Sequence, residues 1–135
     1  MQIFLDACAI IYWIEMTSPE YEKFAIFLQQ LRKQYHDPEL AVSALSLLEC
    51  RVKPLREQNE ACLRLYQQFF CATDLCVIPL SFAVLEQATM LRAHYLLRTP
   101  DAIQAASALS IEEGAVFVTG DRAFKKIPHL KLALF

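Results

Sequence analysis

The sequence predicts an α/β domain with a mainly parallel central sheet flanked by helices. Two observations carry this. Short, continuously apolar runs such as "QIFL" and "AVFV" read as strands buried on both faces. Between such runs lie longer segments with helical spacing and helix-start residues, so strands and helices alternate along the chain. The 135 residues fit a single domain, 1–135, without repeat, low-complexity tract or linker.

Taken in order, "QIFLD" reads as a buried strand with Asp6 at its carboxyl edge, and "ACAIIYWIEM" as a short buried helix. Ser18 as N-cap, Pro19 at the first helical position, and Glu20 and Glu22 in the first turn open the next helix. Its stripe is Tyr21, Phe24, Leu28, Leu31 and Tyr35, and His36-Asp37-Pro38 breaks it. "ELAVS" reads as a strand and "ALSLLECRVKPL" as a helix that Pro54 ends or kinks. "EQNEACLRLYQQFFCAT" reads as another helix and "DLCVIPL" as a strand stopped by Pro79. Ser81 caps the helix "SFAVLEQATMLRAHYLL". "TPDAIQAASALSIEEG" reads as a helix with Thr99 as N-cap, Pro100 at the first position and Gly114 as a left-handed stop. "AVFVTG" is a strand, "DRAFKKI" a single turn or short helix, and "KLALF" a final strand.

Composition excludes several classes. Hydrophobic residues make up 56%, so little of the chain is disordered. No apolar run reaches the length of a membrane span. The N-terminus has no basic segment before its apolar residues, which argues against a signal peptide and for the cytoplasm. The five cysteines form no C-x-x-C pair and read as free, mostly buried thiols. With only Gly114 and Gly120, there is no glycine-rich phosphate loop.

In open parallel sheets, ligands bind outside the carboxyl ends of the strands. Four acids have a claim to that place. Asp6 ends the first strand. Glu49 lies in the helix entered from the second, beside the apolar Leu47, Leu48, Cys50 and Val52. Asp101 lies in the first turn of its helix, and Asp121 follows a strand across Gly120. Singly, each has an ordinary reading: a helix cap for Asp6 and Asp121, a solvated position for Glu49, a helix-dipole partner for Asp101. Together, converging carboxylates repel and lose stability unless a divalent cation joins them. Carboxylate-only ligands favour hard ions such as Mg²⁺ or Mn²⁺, and a water on such an ion can be activated for attack on phosphorus.

The stretches "FLDACAIIYW", "SALSLLE", "TPDAIQAASAL" and "VFVTGDRAF" resemble, in order and spacing, the PIN-domain ribonucleases, and among them the VapC-type toxins of bacterial toxin–antitoxin pairs. The resemblance covers essentially the whole chain. It implies a PIN-like fold and a metal-dependent endoribonuclease. Asp6, Glu49, Asp101 and Asp121 would hold Mg²⁺ or Mn²⁺ and a metal-activated water would hydrolyse RNA. Thr119 would support the last acid from behind. It also implies a homodimer and a small antitoxin whose tail enters the active-site groove. One departure stands out: Ala7 and Cys8 occupy places where the family usually has Thr followed by Asn or Ser, which weakens the polar support beside Asp6.

With the four acids set aside, a net charge of −2 becomes +2 for the rest of the chain. Arg51, Lys53, Arg56, Arg92 and Arg98 lie near the motifs, and Arg122 and Lys125 are the first choices for gripping RNA phosphates. Tyr12 and Trp13 offer faces for stacking bases, although aromatics beside a core strand are more often core. Two other functions compete. A phosphohydrolase with Asp6 as nucleophile would normally have a second acid two residues on, where Cys8 stands. A PIN-like module that binds RNA or protein without cutting draws on the Ala7-Cys8 departure.

Overall fold

The computed structural model describes residues 1–16 and 19–135, so the Ser18 cap lies outside the described residues. Its centre is one all-parallel sheet of five strands: β1 (Gln2–Leu5), β2 (Leu40–Ser43), β3 (Leu75–Ile78), β4 (Ala115–Thr119) and β5 (Leu132–Leu134). The spatial order is β3-β2-β1-β4-β5. The chain builds outward from β1 in one direction, then crosses to its other side at β4. The strand order therefore reverses between β1 and β4, where Leu5 pairs with Val118.

Alternation along the strands divides the core into two layers. Ile3, Leu5, Val42 and Val118 face one side, with Ile10, Phe24, Leu28 and Tyr66. That layer is made by α1 (Ala7–Ile14), α2 (Glu20–Gln34), α3 (Leu45–Arg56) and α4 (Glu60–Phe70). Phe4, Ala41 and Phe117 face the other side. There, α5 (Phe82–Tyr95) and α6 (Thr99–Leu109) pack together over the sheet. Ala102, Ala105, Ala106 and Ala108 of α6 are buried, their small side chains letting the helix approach closely. Phe4 and Phe117 stack at 5.3 Å between ring centres, and Phe124 joins Phe117 at 4.6 Å. Truncating a ring such as Phe117 to alanine costs about 3–5 kcal/mol.

Local signals explain most boundaries. The Ser81 side chain accepts from the Val84 N–H at 3.1 Å, capping α5 as expected. Asn59 does the same for α4, through the Cys62 N–H. Pro54 is buried inside α3, which continues two residues further, to Arg56. The expected stripe on α2 faces inward: Phe24, Leu28 and Leu31 are buried, Tyr21 and Tyr35 partly so.

The ends of α6 differ from expectation. Thr99 is the first helical residue rather than the cap; Arg98 takes the cap position without a side-chain cap bond. The helix stops at Leu109, because the Ser110 hydroxyl bonds back to the Ser107 carbonyl at 2.7 Å and the chain turns away. Gly114 does have positive φ, 82°, but it closes a separate turn before β4, its N–H donating to the Ile111 carbonyl.

Candidate active site

The reversal of strand order beside β1 creates a crevice at the carboxyl ends of β1 and β4. A cleft of about 530 Å³ opens there, and Asp6, Glu49, Asp101 and Asp121 all line it. Ala7, Cys8, Arg98, Gln104, Gly120, Arg122 and Phe124 complete the wall. Four acids from four separate elements thus meet the same space.

Each carboxylate is anchored by a nearby donor. Asp6 directly follows β1 and caps α1, accepting from the Ala9 N–H at 2.9 Å. Its other oxygen accepts from the Thr119 hydroxyl at the end of β4. That hydroxyl in turn accepts from the Asp121 N–H at 3.0 Å, joining the first and last acids through one side chain. Asp121 caps the 3₁₀ turn Arg122–Lys126, accepting from the Ala123 N–H at 2.8 Å. Asp101 accepts from the Arg98 guanidinium at 3.0 and 3.4 Å. Glu49 accepts from the Gln104 amide at 2.8 Å.

Gln104 is the residue that the sequence reading missed. It is 3% exposed, lies three residues after Asp101 in α6, and also donates to the Ser46 hydroxyl at 2.9 Å. One turn further, the Ser107 hydroxyl meets that of Ser43 at the end of β2, at 3.0 Å, both fully buried. Polar side chains recurring on the buried face of an otherwise alanine-rich helix were the available signal. Glu49 itself is less enclosed than its neighbours suggested. Cys50 is buried, but Leu48 and Val52 point outward and are exposed.

The electrostatics follow from this crowding. Burial pushes the Asp6 carboxyl from 3.8 up to about 6. The Thr119 and Ala9 hydrogen bonds oppose the rise, while Glu49 and Asp121 add to it. Cys8 stands in the wall, and packing around its sulfur, with Asp6 and Asp121 nearby, pushes the thiol up to about 11. The Arg98 guanidinium is raised above its usual value chiefly by its hydrogen bond to Asp101, with Asp121 and Glu49 also contributing.

Among the described residues, no three His, Cys, Asp or Glu side chains form a group already arranged to hold a metal ion. The carboxylates are turned towards their separate donors. The chemistry of the donor set does fit a hard divalent cation: oxygen ligands only, with excess negative charge felt at Asp6. Mg²⁺ commonly keeps several waters, so a site for it need not engage all four carboxylates directly.

The other expected contacts divide. Arg122 lines the cleft, whereas Lys125, exposed on the same turn, does not. Arg92 donates to the Leu97 carbonyl and Arg51 to the Leu47 carbonyl, so both serve their own helix ends and turns. Trp13 packs edge-on against Phe69, away from the cleft. Tyr12 packs edge-on against Phe135 in a neighbouring apolar pocket that shares Cys8 and Gly120 with the cleft. All five cysteines are free; Cys50 and Cys62 are buried, but Cys8 and Cys71 are exposed, contrary to the mostly buried expectation.

A family model described as the PIN domain matches residues 3–130. The chain belongs to the PIN domain family. Among curated proteins, none matches it. This PIN domain shares its fold with several solved structures. A chain of VapBC2 from Rickettsia felis, solved bound to a DNA fragment from the promoter, is 24% identical with a TM-score of 0.71. The match covers 100% of this PIN domain and 99% of that chain. A chain of a toxin–antitoxin complex from Klebsiella pneumoniae is 20% identical with a TM-score of 0.67, covering 97% and 95%. A chain of FitAcB from Neisseria gonorrhoeae is 15% identical with a TM-score of 0.69, covering 98% and 96%.

Proposed function

We propose that this PIN domain is a divalent-metal-dependent endoribonuclease acting as the toxin of a toxin–antitoxin pair in the cytoplasm. The observation that carries this reading is the meeting of Asp6, Glu49, Asp101 and Asp121 on one cleft at the sheet's reversal point.

The four acids would hold Mg²⁺ or Mn²⁺. When bound, the cation would supply charge neutralisation at the phosphodiester and lower the pKa of a water, so that it gives up a proton to solvent and hydroxide is available to attack phosphorus near neutral pH. The protein's own part is positioning. Thr119 orients Asp6 and the backbone of Asp121 together. Gln104 fixes the Glu49 carboxylate from behind. Arg122 and Arg98, exposed at the rim, offer charge-assisted hydrogen bonds to phosphate oxygens.

The partner reading rests on the likeness to a chain of a toxin–antitoxin complex. The apolar pocket lined by Tyr12, Phe24, Phe27 and Phe135 suits the apolar anchors of an antitoxin helix beside the cleft. Exposed Leu48, Val52 and Leu55 on α3 and Phe82, Leu85 and Met90 on α5 support a homodimer. Among the described residues, no helix is long and apolar enough to cross a membrane.

The test is RNA incubated with purified protein and Mg²⁺ or Mn²⁺, alongside Asp101→Asn. Cleavage by the native chain and its loss in the variant support the reading; equal cleavage by both sinks it. The second reading, a PIN module that binds without cutting, draws on Cys8 standing in the cleft wall where a polar residue is usual. No Mn²⁺ binding at millimolar concentration would favour it.

A further inference from the structure

The ion pair between Arg98 and Asp101 sets a second role on a residue that the rim contacts alone would make a phosphate grip. Arg98 Nε lies 3.0 Å from one Asp101 oxygen, and a terminal guanidinium nitrogen lies 3.4 Å from the other. The fork therefore spans both oxygens that Asp101 can offer to any other cation. The two partners are unequal: the Arg98 side chain is 76% exposed and that of Asp101 14%. The arginine is free to swing out, while the carboxylate is held in the cleft. The pair spans three residues at the start of α6, so its formation needs no rearrangement of the backbone. Arg122 lines the same cleft and carries the same charge, but makes no ion pair with Asp101.

We propose that Arg98 is a built-in counter-ion for Asp101 that competes with the divalent cation for its carboxylate and, once displaced, meets the RNA phosphate at the same rim. This rests on the metal-dependent reading of the cleft. It makes Arg98 a positioning residue with two alternating partners. A guanidinium suits this exchange, because its planar fork pairs equally well with carboxylate and phosphate. The consequence is a threshold: cation binding must break the pair, so the apparent metal affinity is set below what the four acids alone would give.

The test uses the full chain without RNA. Mn²⁺ dissociation constants would be measured by electron paramagnetic resonance for the native protein, Arg98→Met and Arg122→Met. Methionine keeps the stem and removes the charge. Arg98→Met should bind Mn²⁺ roughly two- to fivefold more tightly, the range that loss of an exposed ion pair allows, and more tightly than Arg122→Met. The ¹⁵N–¹H signal of Arg98 Nε should move on adding Mg²⁺, and the same shift should appear in Asp101→Asn without Mg²⁺. In RNA cleavage, Arg98→Met should raise KM more than it lowers kcat. Unchanged Mn²⁺ affinity in Arg98→Met, or an equal gain in Arg122→Met, would overturn the competition while leaving the metal reading intact. An unaltered KM would overturn the phosphate half. Absence of Mn²⁺ binding in every form would overturn both this inference and the reading beneath it.

Discussion

The Thr119 hydroxyl donates to the Asp6 carboxylate, although 113 residues separate them in the chain. Both are buried, Thr119 completely and Asp6 to 5% exposure. Parallel pairing of β1 with β4 brings their carboxyl ends side by side, and the two side chains meet where the strands stop. The same hydroxyl accepts from the Asp121 N–H, so one oxygen sets the spacing of two acids.

Replacing Thr119 with valine keeps the shape and removes both bonds. The buried Asp6 carboxylate then keeps only the Ala9 N–H and loses its other donor, which costs about 1–3 kcal/mol. Urea denaturation should show that loss, and RNA cleavage should fall with it. Thr119→Ser, which retains the hydroxyl, should recover most of both.

Asp6 predicts a pH dependence in EDTA. Its folded pKa, about 6, lies above the ordinary carboxylate value of 3.8. Between these values the folded protein holds the proton more firmly than the unfolded chain. Stability from this group is therefore full below pH 3.8 and is lost as pH rises through about 6. The total is about 3 kcal/mol, at 1.36 kcal/mol per pH unit. Denaturation midpoints across that window should fall more steeply for the native chain than for Asp6→Asn. Millimolar Mn²⁺ should restore stability above pH 6. Parallel pH profiles would refute the assignment.

Gln104→Leu should release both groups that the Gln104 amide holds, Glu49 and Ser46. Leucine fills similar space but leaves Glu49 and the buried Ser46 hydroxyl without their shared donor. The expected cost is about 1–3 kcal/mol in stability. Mn²⁺ affinity should also change, because Glu49 is no longer held in place. A variant that matches the native chain in both measurements would show that the Gln104 contact is incidental.

Cys8 should react slowly for an exposed cysteine. Its thiol is pushed up to about 11 by packing around the sulfur, then by Asp6. The thiolate is the reactive form, so alkylation by iodoacetamide at pH 8 should be slow and should accelerate towards pH 11. Asp6→Asn removes a facing negative charge and should speed labelling severalfold. Peptide mass spectrometry reads the rate at this site.

Much of the fold was legible because its signals are local. The run "IFL" pairs on both sides and is buried, as continuous apolarity predicts. Ser81 caps α5 because its side chain reaches the Val84 N–H three residues on. The end of α6 was misplaced for the same reason. Gly114 is a valid left-handed signal, but the Ser110–Ser107 bond stops the helix earlier, and a glycine does not say which turn it closes. Lys125 was grouped with Arg122 by proximity in sequence, yet it lies one 3₁₀ turn further on and does not line the cleft that Arg122 lines.

The sequence by itself determined the alternating elements, the apolar layers and the four acids with the strand ends and helices that bear them. These depend on spacing and on residues a few places apart. The tertiary structure alone decided which distant partners hold Asp6 and Glu49. Asp6 finds Thr119 across the β1–β4 pairing, and Glu49 finds Gln104 across 55 residues of chain. Such partners are chosen by the close packing of α3, α6 and the strand ends, where a buried polar group must take a donor within reach. No pattern along the chain encodes that choice. The same packing leaves Arg98 in solvent at the mouth of the cleft, with Asp101 fixed beneath it.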